Sequence, residues 1–169
     1  MKTLQVGDKA PNFKVPDKDG KIYAMSDFIG QWVLLYFYPK DNTPGCTKQA
    51  CAFRDTLAEF KKANAVVLGV SLDSVESHRR FIQKYTLPFT LLSDSDAAVS
   101  KTYGVYKLKK MYGREFWGIE RSTFLIDLNG RMIQSFPRVK VNAHVEEVLL
   151  ALKKARTERK GGKSKGRIS

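Results

Sequence analysis

Cys46 and Cys51 are the only thiols of this chain, and they lie five residues apart. The seven large apolar residues Trp32–Tyr38 predict a buried strand that ends at a loop with two prolines and a glycine. From Ala50 onward the apolar residues follow helical spacing. Cys46 is therefore predicted in the first turn of a helix, where unpaired N–H groups and the helix dipole stabilise an anion. A thiol in that position is expected to favour its reactive thiolate form.

The spacing limits what the two thiols can do together. In a continuous helix, Cys46 and Cys51 would lie about 140° apart around the axis, with Cα atoms roughly 8–9 Å apart. A disulfide needs Cα atoms within about 7 Å, so the pair closes only if the start of the helix unwinds. Otherwise the two are unrelated cysteines that never bond. A zinc site would need two more ligands, and only His78 and His144 are available.

The composition indicates one globular domain. The chain has 169 residues, of which 43% are hydrophobic and 11% aromatic, and a chain of this length buries a substantial core. No apolar stretch reaches the ~18 residues that cross a bilayer, and the N-terminus lacks the apolar core of a signal peptide. Two cysteines in a domain of this size do not make a disulfide framework. We therefore expect a cytoplasmic protein with redox-active thiols and no membrane partner.

The positive charge is concentrated at the C-terminus. The formal net charge is +13, and residues 151–169 contribute +7 of it. Low hydrophobicity and high charge predict that residues 156–169 form a basic, disordered tail outside a domain of residues 1–155. Such a tail attracts nucleic acid or another polyanion weakly, or it is a solvated segment that only improves solubility. It contains no interleaved aromatic residues that would favour sequence recognition.

The predicted elements alternate between strands and helices. Asp-Gly and Asn-Gly steps predict an N-terminal hairpin around Gly20 and a second hairpin around Gly130. The remaining strands are predicted at 32–38, 65–71 and 89–92, and the helices at about 46–62, 74–85, 94–103 and 141–155. This order predicts an α/β fold with a mixed sheet, and a thioredoxin-like architecture satisfies it. The aromatic residues of strand 32–38 are predicted in the core, whereas Phe116 and Trp117 fall in a segment with no clear assignment.

Pro39, Thr43 and Cys46 form a Pro-x-x-x-Thr-x-x-Cys pattern that is similar to the active-site signature of peroxiredoxins, the thiol-dependent peroxidases. The spacing of Cys46 and Cys51 resembles the bacterioferritin comigratory protein/peroxiredoxin Q subgroup. The resemblance covers roughly residues 4–155. It is carried by further segments at Gly7–Phe13, Leu68–Ser74, Ser77–His78, Lys84–Phe89 and Arg121–Asp127.

The resemblance implies a thioredoxin-like fold, with a central mixed β-sheet flanked by helices and an N-terminal β-hairpin extension. It also implies reduction of hydrogen peroxide and organic hydroperoxides to water and alcohols. Cys46 would be the peroxidatic cysteine, and Cys51 the resolving cysteine that forms an intramolecular disulfide with it. Thr43 would hydrogen-bond the attacking sulfur or the peroxide, and Pro39 would shield the pocket. Arg121, distant in the sequence, would complete the site.

The same resemblance bears on cofactors and partners. The peroxidase chemistry requires no metal and no organic redox cofactor, because the thiols themselves are oxidised and reduced. The disulfide would be reduced by thioredoxin or a similar dithiol protein. The subgroup is often monomeric, so the resemblance favours a monomer.

The residues alone leave alternatives open. A general thiol–disulfide oxidoreductase could use the same fold, although such enzymes usually space their cysteines as Cys-x-x-Cys. A redox-sensing, polyanion-binding protein would act mainly through the basic tail. Thr43 and Pro39 could be turn residues only, and Arg121 could be a surface ion-pair partner. His78 and His144 are predicted on helix surfaces rather than as catalytic bases.

Overall fold

The computed structural model describes the backbone of residues 3–168 and the side chains of residues 3–159. The strands are β1 (Lys14–Pro16), β2 (Ile22–Ala24), β3 (Trp32–Phe37), β4 (Ala65–Ser71), β5 (Thr90–Ser93), β6 (Tyr106–Met111), β7 (Arg114–Ile119), β8 (Ser122–Ile126) and β9 (Met132–Phe136). The helices are α1 (Pro44–Lys62), α2 (Val75–Tyr85), α3 (Ala98–Thr102) and α4 (His144–Ile168), with a short 3-10 helix at Met25–Phe28.

Five strands form a mixed sheet in the order β5-β4-β3-β8-β9. The central strand β3 pairs in parallel with β4 and in antiparallel orientation with β8. Every residue of β3 is buried, as expected for a strand whose sheet is covered on both faces. The sheet, its flanking helices and the separate β1–β2 hairpin confirm the predicted thioredoxin-like fold with an N-terminal hairpin extension.

Alternate residues of β3 belong to two hydrophobic clusters on opposite faces of the sheet. Tyr36 packs in the cluster that contains Phe53 of α1 and Val148 of α4. Phe37 belongs to the other cluster, with Val99 of α3. The aromatic residues of β3 therefore lie in the hydrophobic core, as predicted. Their packing fixes the end of β3, where the loop that leads to α1 and Cys46 begins.

The β6–β7 hairpin occupies the segment that the sequence left without an assignment. Its two strands pair only with each other in the described residues, and Phe116 and Trp117 are 41% and 57% exposed. A half-buried strand is recognised by alternation of apolar and polar residues. This hairpin is largely exposed on both faces, so that alternation is absent from its sequence.

Helix α3 begins later than predicted. The sequence placed its start at Asp94 or Ser95, whereas the structure places it at Ala98. The Asp94 carboxylate accepts hydrogen bonds from the backbone N–H groups of Val99 and Ser100 at 3.1 and 2.8 Å. Asp94 therefore caps the helix from a turn that precedes it rather than from its first position.

Helix α4 also differs from its predicted bounds. It begins at His144 instead of Val141, and it continues to Ile168 instead of ending near Ala155. The predicted boundary between a domain of residues 1–155 and a tail of residues 156–169 thus lies within a helix. The tail's side chains beyond residue 159 are outside the described residues, so its polyanion binding stays a prediction. No helix in the described part of the chain is long and apolar enough to cross a membrane.

His144 is buried, so its predicted place on a helix surface is wrong. Its side chain is 3% exposed, and its Nε2 atom lies 2.9 Å from the Thr123 hydroxyl oxygen. Burial lowers the pKa of His144 from its ordinary value of 6.5, against the opposing effect of Glu147, and the charge on Arg121 lowers it further. The imidazole is therefore kept neutral at the junction of β8 and α4.

We predict that replacing His144 with Asn reduces the stability lost on acidification. Because the pKa of His144 is lower in the folded protein, the unfolded chain binds its proton first. The free energy of unfolding therefore falls as the pH drops through the ordinary value of 6.5. Urea unfolding at about pH 8 and about pH 5.5 measures this loss. The variant should lose less free energy than the wild type between the two conditions, and an equal loss would contradict the assignment.

Candidate active site

Cys46 lies in the first turn of α1, as predicted. The helix begins at Pro44 after Thr43 as N-cap, so Cys46 is its third residue. The thiol is 2% exposed. The first turn contains no acidic residue, and its unpaired N–H groups form the positive end of the helix dipole. The helix start therefore favours a negative charge on the Cys46 sulfur.

Arg121 supplies a cation to this sulfur. Its Nη2 group donates a hydrogen bond to the Cys46 Sγ atom at 3.4 Å. Strand pairing explains the contact, because Phe37 is the register partner of Ser122, which follows Arg121 directly. A Cβ atom at Gly45 would lie 3.1 Å from Arg121 Nη2, so the glycine leaves room for the guanidinium. The alternative interpretation of Arg121 was a surface ion pair, whereas this contact joins Arg121 to a buried sulfur atom.

Gln49 holds the other side of the guanidinium and was not predicted as a site residue from the sequence. Its Oε1 atom accepts a hydrogen bond from Arg121 Nη1 at 2.7 Å. The side chain is fully buried, and its Nε2 group has no hydrogen-bond partner among the described residues. Gln49 follows Cys46 by three residues and therefore lies on the same helix face. A long polar residue beside the buried positions Ala50 and Phe53 was the signal that could have identified it.

Tyr36 places a second unpaired polar group in this region. Its hydroxyl is buried and has no partner among the described residues. Burial, followed by charge on Cys46, raises the pKa of Tyr36 well above its ordinary value. The hydroxyl therefore remains protonated. A Cβ atom at Gly69 would lie 2.9 Å from the Tyr36 hydroxyl oxygen, so this glycine leaves the space that the phenol fills.

Thr43 and Pro39 lie in the loop between β3 and α1. The Thr43 hydroxyl donates a hydrogen bond to the carbonyl oxygen of Lys40 at 2.9 Å. The carbonyl oxygen of Thr43 accepts the Thr47 N–H at 2.8 Å, which closes the first helical turn. The single hydroxyl proton is used in this bond, but the lone pairs of the hydroxyl oxygen remain able to accept a hydrogen bond. Pro39 is half-buried at the exit of β3.

Cys51 is separated from Cys46 by the helix itself. Both cysteines are free thiols, Cys46 buried and Cys51 partly buried. Helix α1 runs without interruption through both positions to Lys62, so their Cα atoms are about 8–9 Å apart by helix geometry. The prediction of unwinding assumed a continuous helix through both cysteines, and the structure has one. The two thiols cannot bond while the first turns of α1 are helical.

His78 is fully buried, so its predicted position on the surface of α2 is wrong. It is 0% exposed, and its Nδ1 atom lies 2.7 Å from the Asp41 carboxylate. Asp41, Asp73 and His78 are the one group of potential metal ligands found in the described residues. Neither cysteine belongs to this group. The hydrogen bonds among Asp41, Asp73 and His78 instead connect the loop that precedes α1 to α2.

Known proteins are similar to this chain in sequence. The profile of a family described as the AhpC/TSA family matches residues 6–135. A Coxiella burnetii protein named putative peroxiredoxin bcp is 52% identical over 147 residues, which cover 87% of this chain and 97% of that protein. The Bacillus subtilis protein named peroxiredoxin Bcp is 48% identical over 151 residues, which cover 89% of this chain and 96% of its own length.

Solved structures of proteins with similar names have a similar fold to this chain. A Cys-to-Ser variant of Xylella fastidiosa PrxQ superposes with a TM-score of 0.87 at 42% identity, covering 92% of this chain and 99% of that one. Xanthomonas campestris bacterioferritin comigratory protein, studied for its alkyl peroxide reduction activity, has a TM-score of 0.81 at 43% identity. It covers 85% of this chain and 91% of its own.

We predict that replacing Arg121 with Met slows alkylation of Cys46 by iodoacetamide about tenfold at neutral pH, because loss of a contacting cation disfavours the thiolate. The measurement is made with Cys51 replaced by Ser, so that only one thiol reacts. Arg131→Met is the matched control, because it removes the same charge at the opposite end of β8, where Arg131 precedes β9. A similar slowing in both variants would contradict a specific effect of the Arg121 contact.

Proposed function

This chain belongs to the AhpC/TSA family, and on that basis we propose that it is a thiol-dependent peroxidase whose reacting atom is the Cys46 sulfur. The observation that carries the proposal is the hydrogen bond from Arg121 Nη2 to that sulfur, 3.4 Å long, at the start of α1. A fixed cation and a helix N-terminus both stabilise an anionic sulfur nucleophile. The relatives that match most of the chain are named peroxiredoxins.

The first step oxidises Cys46. Its thiolate attacks one oxygen of the hydroperoxide, an S–O bond forms and the O–O bond breaks. Sulfur loses two electrons and becomes a sulfenic acid. The departing hydroxide or alkoxide takes a proton and leaves as water or alcohol. Negative charge moves from sulfur to the departing oxygen, so the N–H donors of Arg121 stabilise charge that develops in the transition state.

In this proposal Thr43 orients the bound peroxide, and Pro39 shields the site from water. The Thr43 hydroxyl donates to the Lys40 carbonyl at 2.9 Å, which leaves its oxygen as an acceptor for the peroxide O–H. Thr43 therefore orients the peroxide rather than donating to the sulfur. Pro39 has no N–H group, and its ring limits access of water beside the loop.

The second step forms the disulfide. The Cys51 thiol attacks the sulfenic sulfur, an S–S bond forms, and the sulfenic oxygen leaves as water after taking the thiol proton. Because α1 is continuous through both cysteines, its first turns must unwind before the sulfur atoms meet. Cys46 is the peroxidatic cysteine and Cys51 the resolving cysteine of this cycle.

The third step returns the enzyme to its dithiol form. A dithiol protein such as thioredoxin supplies two electrons by thiol–disulfide exchange and becomes a disulfide itself. The substrates are hydrogen peroxide and organic hydroperoxides, the class to which the alkyl peroxides of the Xanthomonas campestris protein belong. We further propose that the protein works as a monomer in the cytoplasm, without a metal or organic cofactor.

We predict that Cys46→Ser abolishes peroxide consumption, lowering the rate by at least about a thousandfold because the nucleophile is lost. Stopped-flow measurements with hydrogen peroxide and with an organic hydroperoxide, each with thioredoxin as reductant, give the rates. Cys51→Ser is the control, since it keeps the nucleophile and should still consume one equivalent of peroxide per chain. Undiminished turnover in Cys46→Ser would exclude Cys46 as the reacting atom.

We also predict that oxidation loosens the start of α1. Hydrogen–deuterium exchange of the peroxide-treated wild type should lose protection at the first turns of α1, while β3 and β4 keep theirs, because the disulfide excludes the helical spacing. In Cys51→Ser the sulfenic acid forms without a disulfide, so protection there should be retained. The prediction is wrong if both proteins exchange alike, or if mass spectrometry finds only intermolecular disulfides.

A further inference from the structure

A buried carboxylate fixes the loop that carries the active-site residues. Asp41 lies in this loop between Pro39 and Thr43 and is 7% exposed. Its Oδ1 atom accepts a hydrogen bond from the Tyr38 hydroxyl at 2.6 Å. Its Oδ2 atom accepts one from the Ser77 hydroxyl at 2.8 Å. One donor comes from the end of β3 and the other from α2, so the carboxylate joins the sheet to the helix.

His78 meets the same carboxylate with a defined protonation pattern. Its Nε2 atom lies 2.9 Å from the carbonyl oxygen of Leu92, and a carbonyl oxygen only accepts, so Nε2 carries a hydrogen. Its Nδ1 atom lies 2.7 Å from Asp41 Oδ2, a distance that requires one proton between the two atoms. Whichever atom holds this proton, the Asp41–His78 pair has no net charge.

The backbone of the loop is tied down next to this pair. The Asp41 N–H donates to Asp73 Oδ2 at 2.8 Å, and the Ser71 hydroxyl donates to the same oxygen at 2.6 Å. Asn42 has a φ of 61°, which is uncommon for a residue other than glycine. Its side-chain oxygen accepts a hydrogen bond from the Tyr85 hydroxyl at 3.1 Å. The position of the residue before the helix N-cap is thereby fixed on α2.

Asp41 lies five residues before Cys46, and both residues act on the pKa of one buried phenol, that of Tyr36. The hydroxyl of Tyr36 is influenced by charge on Cys46, on Asp41 and on Arg121, each of which acts on the pKa of Tyr36 after the larger effect of burial. An uncompensated carboxylate at Asp41 would be unfavourable for a second negative charge on Cys46 in a buried region.

We propose that Asp41 and His78 form a proton-sharing pair of zero net charge that positions the active-site loop without disfavouring the Cys46 thiolate. In this arrangement Asp41 and His78 are positioning residues, since they act through the loop and do not touch the sulfur. The proposal rests on the proposed role of Cys46 as the reactive thiol. It adds the reason why a carboxylate can be buried five residues before that thiol.

Other ionisable groups contact the pair or the residues next to it in the active-site region. Tyr38 contributes from the end of β3 and Asp73 from the loop before α2. Lys84 of α2 lies 3.4 Å from the Asn42 side-chain oxygen. Arg121 is on the Cys46 side. The variants below leave all four unchanged, so a change in thiol reactivity reports on the pair itself.

Neutrality is tested with His78→Asn and with the double variant Asp41→Asn/His78→Asn, both in a Cys51→Ser background. His78→Asn keeps an N–H donor for Asp41 but leaves its negative charge uncompensated, so alkylation of Cys46 at neutral pH should slow about tenfold. The double variant pairs two neutral amides and should recover most of the wild-type rate. Equal slowing in the single and double variants would overturn the proposal.

Positioning is tested with Asp41→Ala and a matched buried aspartate, Asp94→Ala. Asp94 is 1% exposed and accepts three hydrogen bonds, from the Val99 N–H, the Ser100 N–H and the Ser100 hydroxyl. Both variants should be less stable to urea. Only Asp41→Ala should slow the oxidation of Cys46 by peroxide in a single turnover, by about 10- to 100-fold. Equal slowing in the two variants would mean that Asp41 is merely structural.

A measurement on the wild type covers the case in which the His78 variants do not fold. Nitrogen-15 NMR of the imidazole should find a proton on His78 Nε2 at every pH where the protein is folded, and an unprotonated Nε2 would overturn the proposal. Elemental analysis of the purified protein should find no bound metal at Asp41, Asp73 and His78, and a stoichiometric metal would likewise overturn it. Alkylation needs no peroxide, so a failed pair and a failed peroxidase assignment give different results.

Discussion

The pairing of β3 with β8 is the constraint on which the active site depends. Cys46 follows β3 by a short loop, whereas Arg121 precedes β8 and is distant in the sequence. The register that matches Phe37 with Ser122 brings these two ends together. The guanidinium then lies between the Cys46 sulfur and the Gln49 side chain. A shift of this register by one residue would turn the residues of β8 to the opposite face of the sheet and remove Arg121 from the sulfur.

The strongest sequence signals were local ones. The apolar run of β3 and the change to helical spacing placed Cys46 at a helix start, and the structure has it there. Long-range contacts were visible only where a family resemblance supplied them, as for Arg121. Gln49 and His78 were missed or misplaced because a single polar residue in a helix does not reveal which side faces the core. The exposed β6–β7 hairpin gave no pattern at all, since burial is what creates periodicity in a sequence.

The loop before α1 must stay fixed during the proposed cycle, whereas the first turns of α1 must unwind. Asp41 is held on α2 through buried or partly buried hydrogen bonds, and Asn42 is held there by an exposed hydrogen bond from Tyr85. The residues after Thr43 are joined to one another by helical hydrogen bonds, and those of the first turns must break for the proposed disulfide to form. A firm attachment just before the helix confines the rearrangement to the segment that contains both thiols. Loss of structure is then local and reversible, and the sheet need not take part.

The continuity of α1 through Cys46 and Cys51 has a consequence for the energetics of the redox couple. In the proposed cycle the helix start is present in the dithiol form and absent from the disulfide form, so its folding free energy favours reduction of the disulfide. The reduction potential of the couple therefore contains a folding contribution, and about 1.4 kcal/mol of helix stability corresponds to roughly 30 mV. A more stable helix start makes the disulfide a stronger oxidant. The sequence of one helical turn thus adjusts how readily a dithiol partner can regenerate the enzyme.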